Sequence, residues 1–201
     1  MQRFAPVVPR CRSCALPVPA GASTCGRCLV SPPPFDHAVA AVDYAFPWDR
    51  LVLALKFRGA FDLAGTLAHR LRHAVAHVGA PPPDLVVPVP LGPHRLRERG
   101  FNQAWELTRR VGPPADARLL LRVKDTPHQL ALPEAKRAAN VRSAFALDPR
   151  RRTAVNGRHV AVVDDVMTTG ATLHEIAGVL RAAGAASVRV WVVARTPRPT
   201  G

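Results

Sequence analysis

The chain has 201 residues, 48% of them hydrophobic, and carries 28 Lys and Arg against 14 Asp and Glu, a formal net charge of +14. That length suits one α/β domain with a small appendage and is too short for two full domains. No apolar run approaches membrane-spanning length, and cysteines and prolines stand where a secretory signal would need an apolar stretch, so we expect a cytoplasmic protein with no membrane insertion. The cations are mostly arginine and scattered, which fits either an anionic partner, such as phosphates or nucleic acid, or a generally basic solvated surface.

Cys11, Cys14, Cys25 and Cys28 are the only cysteines and form two Cys-x₂-Cys pairs separated by ten residues. Each pair can present two thiolates from one tight turn, and four thiolates complete a closed, tetrahedral Zn²⁺ site. Two disulfides or two redox pairs are the alternatives. They fit less well without a secretory signal or a surrounding βαβ pattern. Ser31-Pro32-Pro33-Pro34 follows as a stiff linker, so residues 1–34 are expected to form a small zinc module.

Residues 37–44 read as a strand, Pro47 opens a helix that runs to Lys56-Phe57-Arg58-Gly59, and Leu63, Leu67, Leu71, Ala74, Val75 and Val78 mark one face of a second helix. His69, His73 and His77 recur every four residues on that helix; with no carboxylate among them they predict a solvated face rather than a metal stripe. Residues 84–90 read as a strand entering a loop that carries His94, Arg95, Arg97, Arg99 and Gly100, and a helix begins near Phe101, Asn102 and Gln103. Residues 117–123 are a further strand candidate. Residues 124–140, with Thr126, Gln129, Arg137 and Asn140, predict a long loop of the kind that serves as a lid. Residues 187–194 form a last Val-rich strand before a Pro-rich tail, residues 196–201, that we expect to be disordered. Alternating strands and helices across residues 35–195 predict a mostly parallel, twisted sheet flanked by helices, with ligands at the carboxyl ends of the strands.

The central stretch is Val160-Ala161-Val162-Val163-Asp164-Asp165-Val166-Met167-Thr168-Thr169-Gly170-Ala171-Thr172-Leu173. It opens as a buried strand and closes at helical spacing, so its polar middle is a strand-to-helix turn. Thr168, Thr169, Gly170, Ala171 and Thr172 place hydroxyls and free backbone N–H groups at a helix N-terminus, where a phosphate is favoured. Asp164 and Asp165 would repel each other unless a ribose diol or Mg²⁺ engaged them. An ordinary Thr-capped βα turn with a solvated Asp pair is the plainer alternative.

This segment resembles the phosphoribosyl-pyrophosphate (PRPP) loop of type I phosphoribosyltransferases. Together with the four cysteines, Lys56-Phe57-Arg58-Gly59, Val87-Pro88-Val89-Pro90, Arg99-Gly100-Phe101-Asn102-Gln103 and Arg137 with Asn140, it makes the chain look like the competence protein F (ComF) family from Cys11 to about Ala194. The resemblance implies a type I phosphoribosyltransferase-like fold behind a zinc module, and an association with natural transformation by DNA uptake. It further implies PRPP as substrate and Mg²⁺ beside it. Asp164 and Asp165 would hold the ribose hydroxyls, directly or through Mg²⁺, and Thr168 to Thr172 the 5′-phosphate. Arg95, Arg97, Arg99 and Gly100 would meet the pyrophosphate, with Arg99 acting alongside the two acids in catalysis.

No stretch identifies the acceptor nucleophile. Residue 2 is Gln, which removes the N-terminal Cys of a glutamine-dependent amidotransferase. Two classes therefore stand side by side: a phosphoribosyltransferase of unknown acceptor, and a non-catalytic PRPP-sensing or single-stranded-DNA-binding accessory protein of the uptake machinery.

Overall fold

The computed structural model describes residues 4–112, 114–124 and 143–197. In chain order the described elements are helix α1 (Gly26–Val30), strand β1 (His37–Asp43), helices α2 (Trp48–Arg58) and α3 (Asp62–His77), strand β2 (Leu85–Pro88), helices α4 (Pro93–Arg99) and α5 (Gln103–Val111), strands β3 (Leu120–Arg122) and β4 (Phe145–Leu147), a 3-10 turn (Pro149–Val155), strand β5 (His159–Met167), helix α6 (Ala171–Ala182) and strand β6 (Ser187–Arg195). Four strands pair in parallel in the order β1–β6–β5–β2, and β3 with β4 forms a separate antiparallel pair.

Both faces of the parallel sheet are covered, which is why its strands read as nearly unbroken apolar runs. On one face Val160, Val162, Val188, Val190 and Val192 pack against Leu173, Ile176, Ala177 and Leu180 of α6 and against Leu120 and Phe145 of the small sheet. On the other, Ala161, Val163, Trp191 and Val193 meet Val52 and Leu55 of α2, Leu67 and Leu71 of α3, and Leu107 of α5. The alternation of side chains along β5 and β6 thus divides one sheet between two cores.

The strand candidate at residues 117–123 shrinks to Leu120–Arg122. It pairs antiparallel with Phe145–Leu147 outside the parallel sheet, and Leu120 and Phe145 pack into the core on one face of that sheet. The arginine-rich stretch after β2 is not the loop its composition suggests: Pro93 starts α4, and Gly100, at φ 77°, ends it in the left-handed conformation. Most of the expected lid, with Thr126, Gln129, Arg137 and Asn140, lies outside the described residues, as does the end of the tail. His69, His73 and His77 are exposed on α3, as the spacing suggests. Among the described residues no helix is long and apolar enough to cross a membrane.

Candidate functional site

Asp164 and Asp165 lie inside β5, close to its carboxyl end, at a fault in the pleat. Val163 and Val166 pack against the same core although they are three residues apart, so the period-two alternation lapses between them. Pairing with β6 keeps its register across the lapse, from Asp164↔Val192 to Val166↔Ala194, with Asp165 left out of it. Each carboxylate fills the gap locally: Asp164 Oδ1 accepts from the Asp165 N–H at 2.8 Å, and Asp165 Oδ1 accepts from the Val166 N–H at 2.9 Å. Short acidic side chains that bond their own backbone compete with the ladder in this way.

Asp165 is buried, and its Oδ2 lies 3.1 Å from the Lys56 ammonium at the end of α2. That oxygen meets no donor at hydrogen-bonding geometry, so the contact is an ion pair with acceptor capacity to spare. Burial opposes the charge on Asp165, but the Lys56 charge together with hydrogen bonds from Asp164 and the Val166 N–H outweighs it and holds the carboxyl below its usual range. The neighbouring Asp165 charge in turn raises Lys56 against its own burial. Asp164 goes the other way. Burial first, and then the adjacent Asp165 carboxylate, push it well above the ordinary carboxylate range, although its partial solvent contact tempers the desolvation. The two acids are thus pushed apart, Asp165 toward the anion and Asp164 toward the protonated form, and donors or a cation at Asp164 would offset the upward push.

Thr168 is exposed and Thr169 to Thr172 are half-buried in the turn that follows. Gly170 occupies the N-cap of α6 at φ 84°, a conformation few residues with a side chain adopt, and its carbonyl accepts from His174 N–H. Thr169 Oγ1 accepts from Ala171 N–H at 3.3 Å. The remaining first-turn N–H groups of this twelve-residue helix have no helical acceptor, so the turn presents donors and the positive dipole end together.

Of the α4 cations, Arg99 comes closest to the acids: the Asp165 and Asp164 charges both act on it, while burial lowers its pKa. Its guanidinium stacks 5.2 Å above the Phe57 ring and donates to Gln103 Oε1 at 2.7 Å. Arg95 is half-buried and its charge reaches Arg99, whereas Arg97 and Gly100 are exposed at the helix end. Asn102 fixes this region by capping α5 through Ala104 and Trp105 N–H while donating to the Val89 carbonyl.

Two functional positions were not assigned a role from sequence. Lys56 belongs to a quoted motif, yet its meeting with Asp165 depends on the course of α2 across the sheet end. Arg195 closes β6 and is buried; its guanidinium donates to the carbonyls of Cys14, Met167, Thr168 and Thr196. It ties the cysteine segment to the start of the Thr-rich turn.

The four cysteine sulfurs lie within 4.8 Å of one another, with Cys14 and Cys25 Sγ 3.6 Å apart. Zn–S bonds of ~2.3 Å in a tetrahedron put sulfurs roughly 3.8 Å apart, so the cluster has the size that a zinc ion requires. Burial and the neighbouring thiols drive Cys28 far upward, a crowding that a divalent cation relieves. The sheet edge takes up this segment: Ala38 N–H donates to the Arg12 carbonyl, Arg10 pairs with Asp43 at 2.8 Å, and Ala15 enters the main core.

The split Asp pair makes a testable statement about stability. A native pKa raised above the unfolded value, as at Asp164, gives stability that is present below about pH 4 and lost as pH rises through the raised value. Asp165 is opposite, stabilising above about pH 4 until the pH falls through its lowered value. Thermal melts of the ligand-free protein from pH 4 to 8 are therefore expected to show a decline toward neutrality that Asp164→Asn abolishes. Lys56→Met should cost about 3 kcal/mol at pH 7, the lower end for breaking a buried pair, because the ammonium keeps some water contact. Superposable pH profiles for all three proteins would refute the assignment.

Comparison with known proteins finds a family model, and relatives that cover most of the chain. A family model described as phosphoribosyl transferase domain matches residues 117–201. DNA utilization protein YhgH of Escherichia coli (strain K12) is 39% identical over 92% of this chain and 84% of its own length. Competence protein F of Haemophilus influenzae is 35% identical over 93% of this chain and 85% of its own. Among solved structures, an allosteric regulatory enzyme of purine biosynthesis overlays 65% of this chain at 25% identity and a TM-score of 0.41; the match spans 26% of that enzyme's length. The parallel sheet flanked by helices is a type I phosphoribosyltransferase-like fold.

Proposed function

The chain belongs to the family of competence protein F and DNA utilization protein YhgH, and from that premise we propose that it binds PRPP with Mg²⁺ at residues 164–172 and transfers the phosphoribosyl group in a process linked to DNA uptake. The observation that carries this reading is the coincidence of an acid pair, Asp165 buried and Asp164 half-buried, one strand-to-helix turn and a left-handed Gly170 at the head of α6. Asp164, which keeps solvent contact, and Asp165 beside it accept from the ribose hydroxyls, directly or through Mg²⁺. The N–H groups and hydroxyls of Thr168 to Thr172 hold the 5′-phosphate. Arg99 meets the pyrophosphate as the anomeric carbon gains positive character, and a donor well placed for that charge contributes roughly 3 kcal/mol. Arg95, Arg97 and Gly100 lie on the same helix and its cap, facing the same leaving group more loosely. When bound, Mg²⁺ supplies further neutralisation of the departing charge.

Calorimetry with PRPP and Mg²⁺ tests the binding step, and Gly170→Val is its control. A Cβ at Gly170 finds room, its nearest neighbour being Met167 Sδ at 3.6 Å, but φ 84° strains a β-branched residue and its bulk stands where the phosphate must approach. The wild type is expected to bind and the variant to lose at least tenfold in affinity; absence of binding by the wild type overturns the reading. Pyrophosphate release measured against a panel of bases, ammonia and single-stranded DNA then tests transfer. Binding without release selects the PRPP-sensing accessory protein, which the net charge of +14 also favours as a nucleic-acid partner.

A further inference from the structure

Lys56-Phe57-Arg58-Gly59 closes α2, and two of its side chains serve the candidate site from one helical turn. Lys56 puts its ammonium 3.1 Å from Asp165 Oδ2, and the Phe57 ring lies under the Arg99 guanidinium at 5.2 Å. Gly59, at φ 61°, ends the helix in the left-handed conformation with its N–H on the Ala54 carbonyl, so the negative end of the α2 dipole falls at these residues and favours cations there. One helix end therefore holds both cations that act on the acid pair, Lys56 directly and Arg99 through the ring of Phe57.

The partners of the ion pair are not equally enclosed. Asp165 keeps 5% of its side chain in solvent and spends Oδ1 on the Val166 N–H, whereas Lys56 keeps 27%. An ammonium carries three donors and one carboxylate oxygen occupies one of them, so Lys56 retains donors on its solvent side. The Asp164 charge also acts on Lys56, and the Arg99 charge opposes it, which places the ammonium within electrostatic reach of the half-buried acid and the guanidinium alike. An ion pair that served the fold alone could be replaced here by apolar side chains without loss. Adjacent carboxylates are otherwise a ready place for a divalent cation. With Lys56 beside them, a bare dication approaching Asp164 meets a fixed positive charge at Asp165 and a second at Arg99. The same ion carried by a diphosphate arrives with its charge cancelled, and Lys56 then faces an anion.

We propose that Lys56 is a specificity-determining residue of this site: its ammonium neutralises the acid pair while no ligand is bound, turns away bare divalent ions, and meets a metal–diphosphate complex through its remaining donors. The diphosphate half rests on the reading of residues 164–172 as the PRPP site. Asp165 then also serves as the positioning residue of Lys56, and Phe57 as that of Arg99.

Titration of the full chain with Mn²⁺ alone, followed by the free-ion spin signal, tests the exclusion; the binding counted is that which Asp164→Asn removes. The wild type is expected to bind the bare ion weakly and Lys56→Met about tenfold or more tightly, since a fixed like charge has left a half-buried place. Lys56→Arg keeps the charge and should match the wild type. A gain of binding cannot arise from a loss of fold. Calorimetry with PRPP–Mg²⁺ and with ribose 5-phosphate tests the diphosphate contact: the preference for PRPP should shrink about tenfold in Lys56→Met, with ribose 5-phosphate affinity unchanged, and return in Lys56→Arg. Bare Mn²⁺ held equally by wild type and Lys56→Met overturns the exclusion, and equal losses of PRPP and ribose 5-phosphate in Lys56→Met reduce Lys56 to a structural partner of Asp165. Should Lys56→Met melt below the assay temperature, the wild type decides: Mn²⁺ bound as tightly without PRPP as with it overturns the proposal, and Mn²⁺ bound only with PRPP supports it. Failure of the wild type to bind either sugar phosphate sinks the reading of residues 164–172, while the bare-ion comparison still decides the role of Lys56.

Discussion

Replacing both Asp164 and Asp165 by Asn is expected to weaken PRPP–Mg²⁺ binding by tenfold or more, with about 1.5–3 kcal/mol lost for each charge-assisted hydrogen bond to the ribose. The substitution keeps shape and backbone contacts, because an amide oxygen can still accept from Asp165 and Val166 N–H as the carboxylates do. What it removes is charge, and the two removals are unequal. Asp165→Asn leaves the Lys56 ammonium without its counter-charge near the sheet end and should destabilise the ligand-free protein. Asp164→Asn removes a carboxyl that the fold already prefers protonated and should raise the melting temperature at pH 7. The double variant is thus expected to melt near the wild type while losing its ligand, which separates lost binding from lost fold. Calorimetry and thermal melts of the two single variants and the double one check this, and undiminished PRPP affinity in the double variant would exclude the acids from the site.

The sequence legible to pattern reasoning was that with strong periodicity or strict spacing. The valines of β5 and β6 are buried on both faces and so form nearly unbroken apolar runs, and Leu173, Ile176 and Leu180 follow at helical spacing behind Gly170. The cysteine pairs announce themselves by spacing alone, and their sulfurs do converge. α4 escaped because its seven residues bury none, so no apolar face marks it and its arginines read as loop. β4 escaped because three residues carry no measurable alternation. The pairing of Lys56 with Asp165 joins positions far apart in sequence, and Arg195 at the end of a valine strand looks like an ordinary solvated terminus. Both roles arise from tertiary placement, which local pattern does not encode. The fault in the pleat at the acid pair is a middle case: two adjacent Asp residues in a strand signal strain, but only the hydrogen bond each accepts from the next backbone N–H reveals how it is relieved.

The four cysteines are expected to hold one Zn²⁺ per chain, and a Cys14→Ser, Cys28→Ser double variant to lose it. Apparent zinc-binding energies of about 10–16 kcal/mol in small thiolate sites are folding energies, so the cysteine segment should unfold on losing the ion. The parallel sheet should remain, because its two cores draw on α2, α3, α5 and α6 and take from this segment chiefly Ala15 and the packing of Cys14. The loss would not stop at the segment's own residues. Ala38 N–H would lose the Arg12 carbonyl, Asp43 would lose Arg10, and Arg195 would lose the Cys14 carbonyl while still holding Met167 and Thr168. Hydrogen exchange should accordingly accelerate in residues 11–30, at Ala38 and in the Thr168–Thr172 turn, and leave the centre of β5 protected. Ribose 5-phosphate affinity should fall with the loosened turn. Metal analysis with hydrogen exchange on wild type, chelated wild type and the double variant decides the matter: a full equivalent of zinc in the variant refutes the ligand set, and zinc loss with an undisturbed Thr168–Thr172 turn refutes the coupling through Arg195.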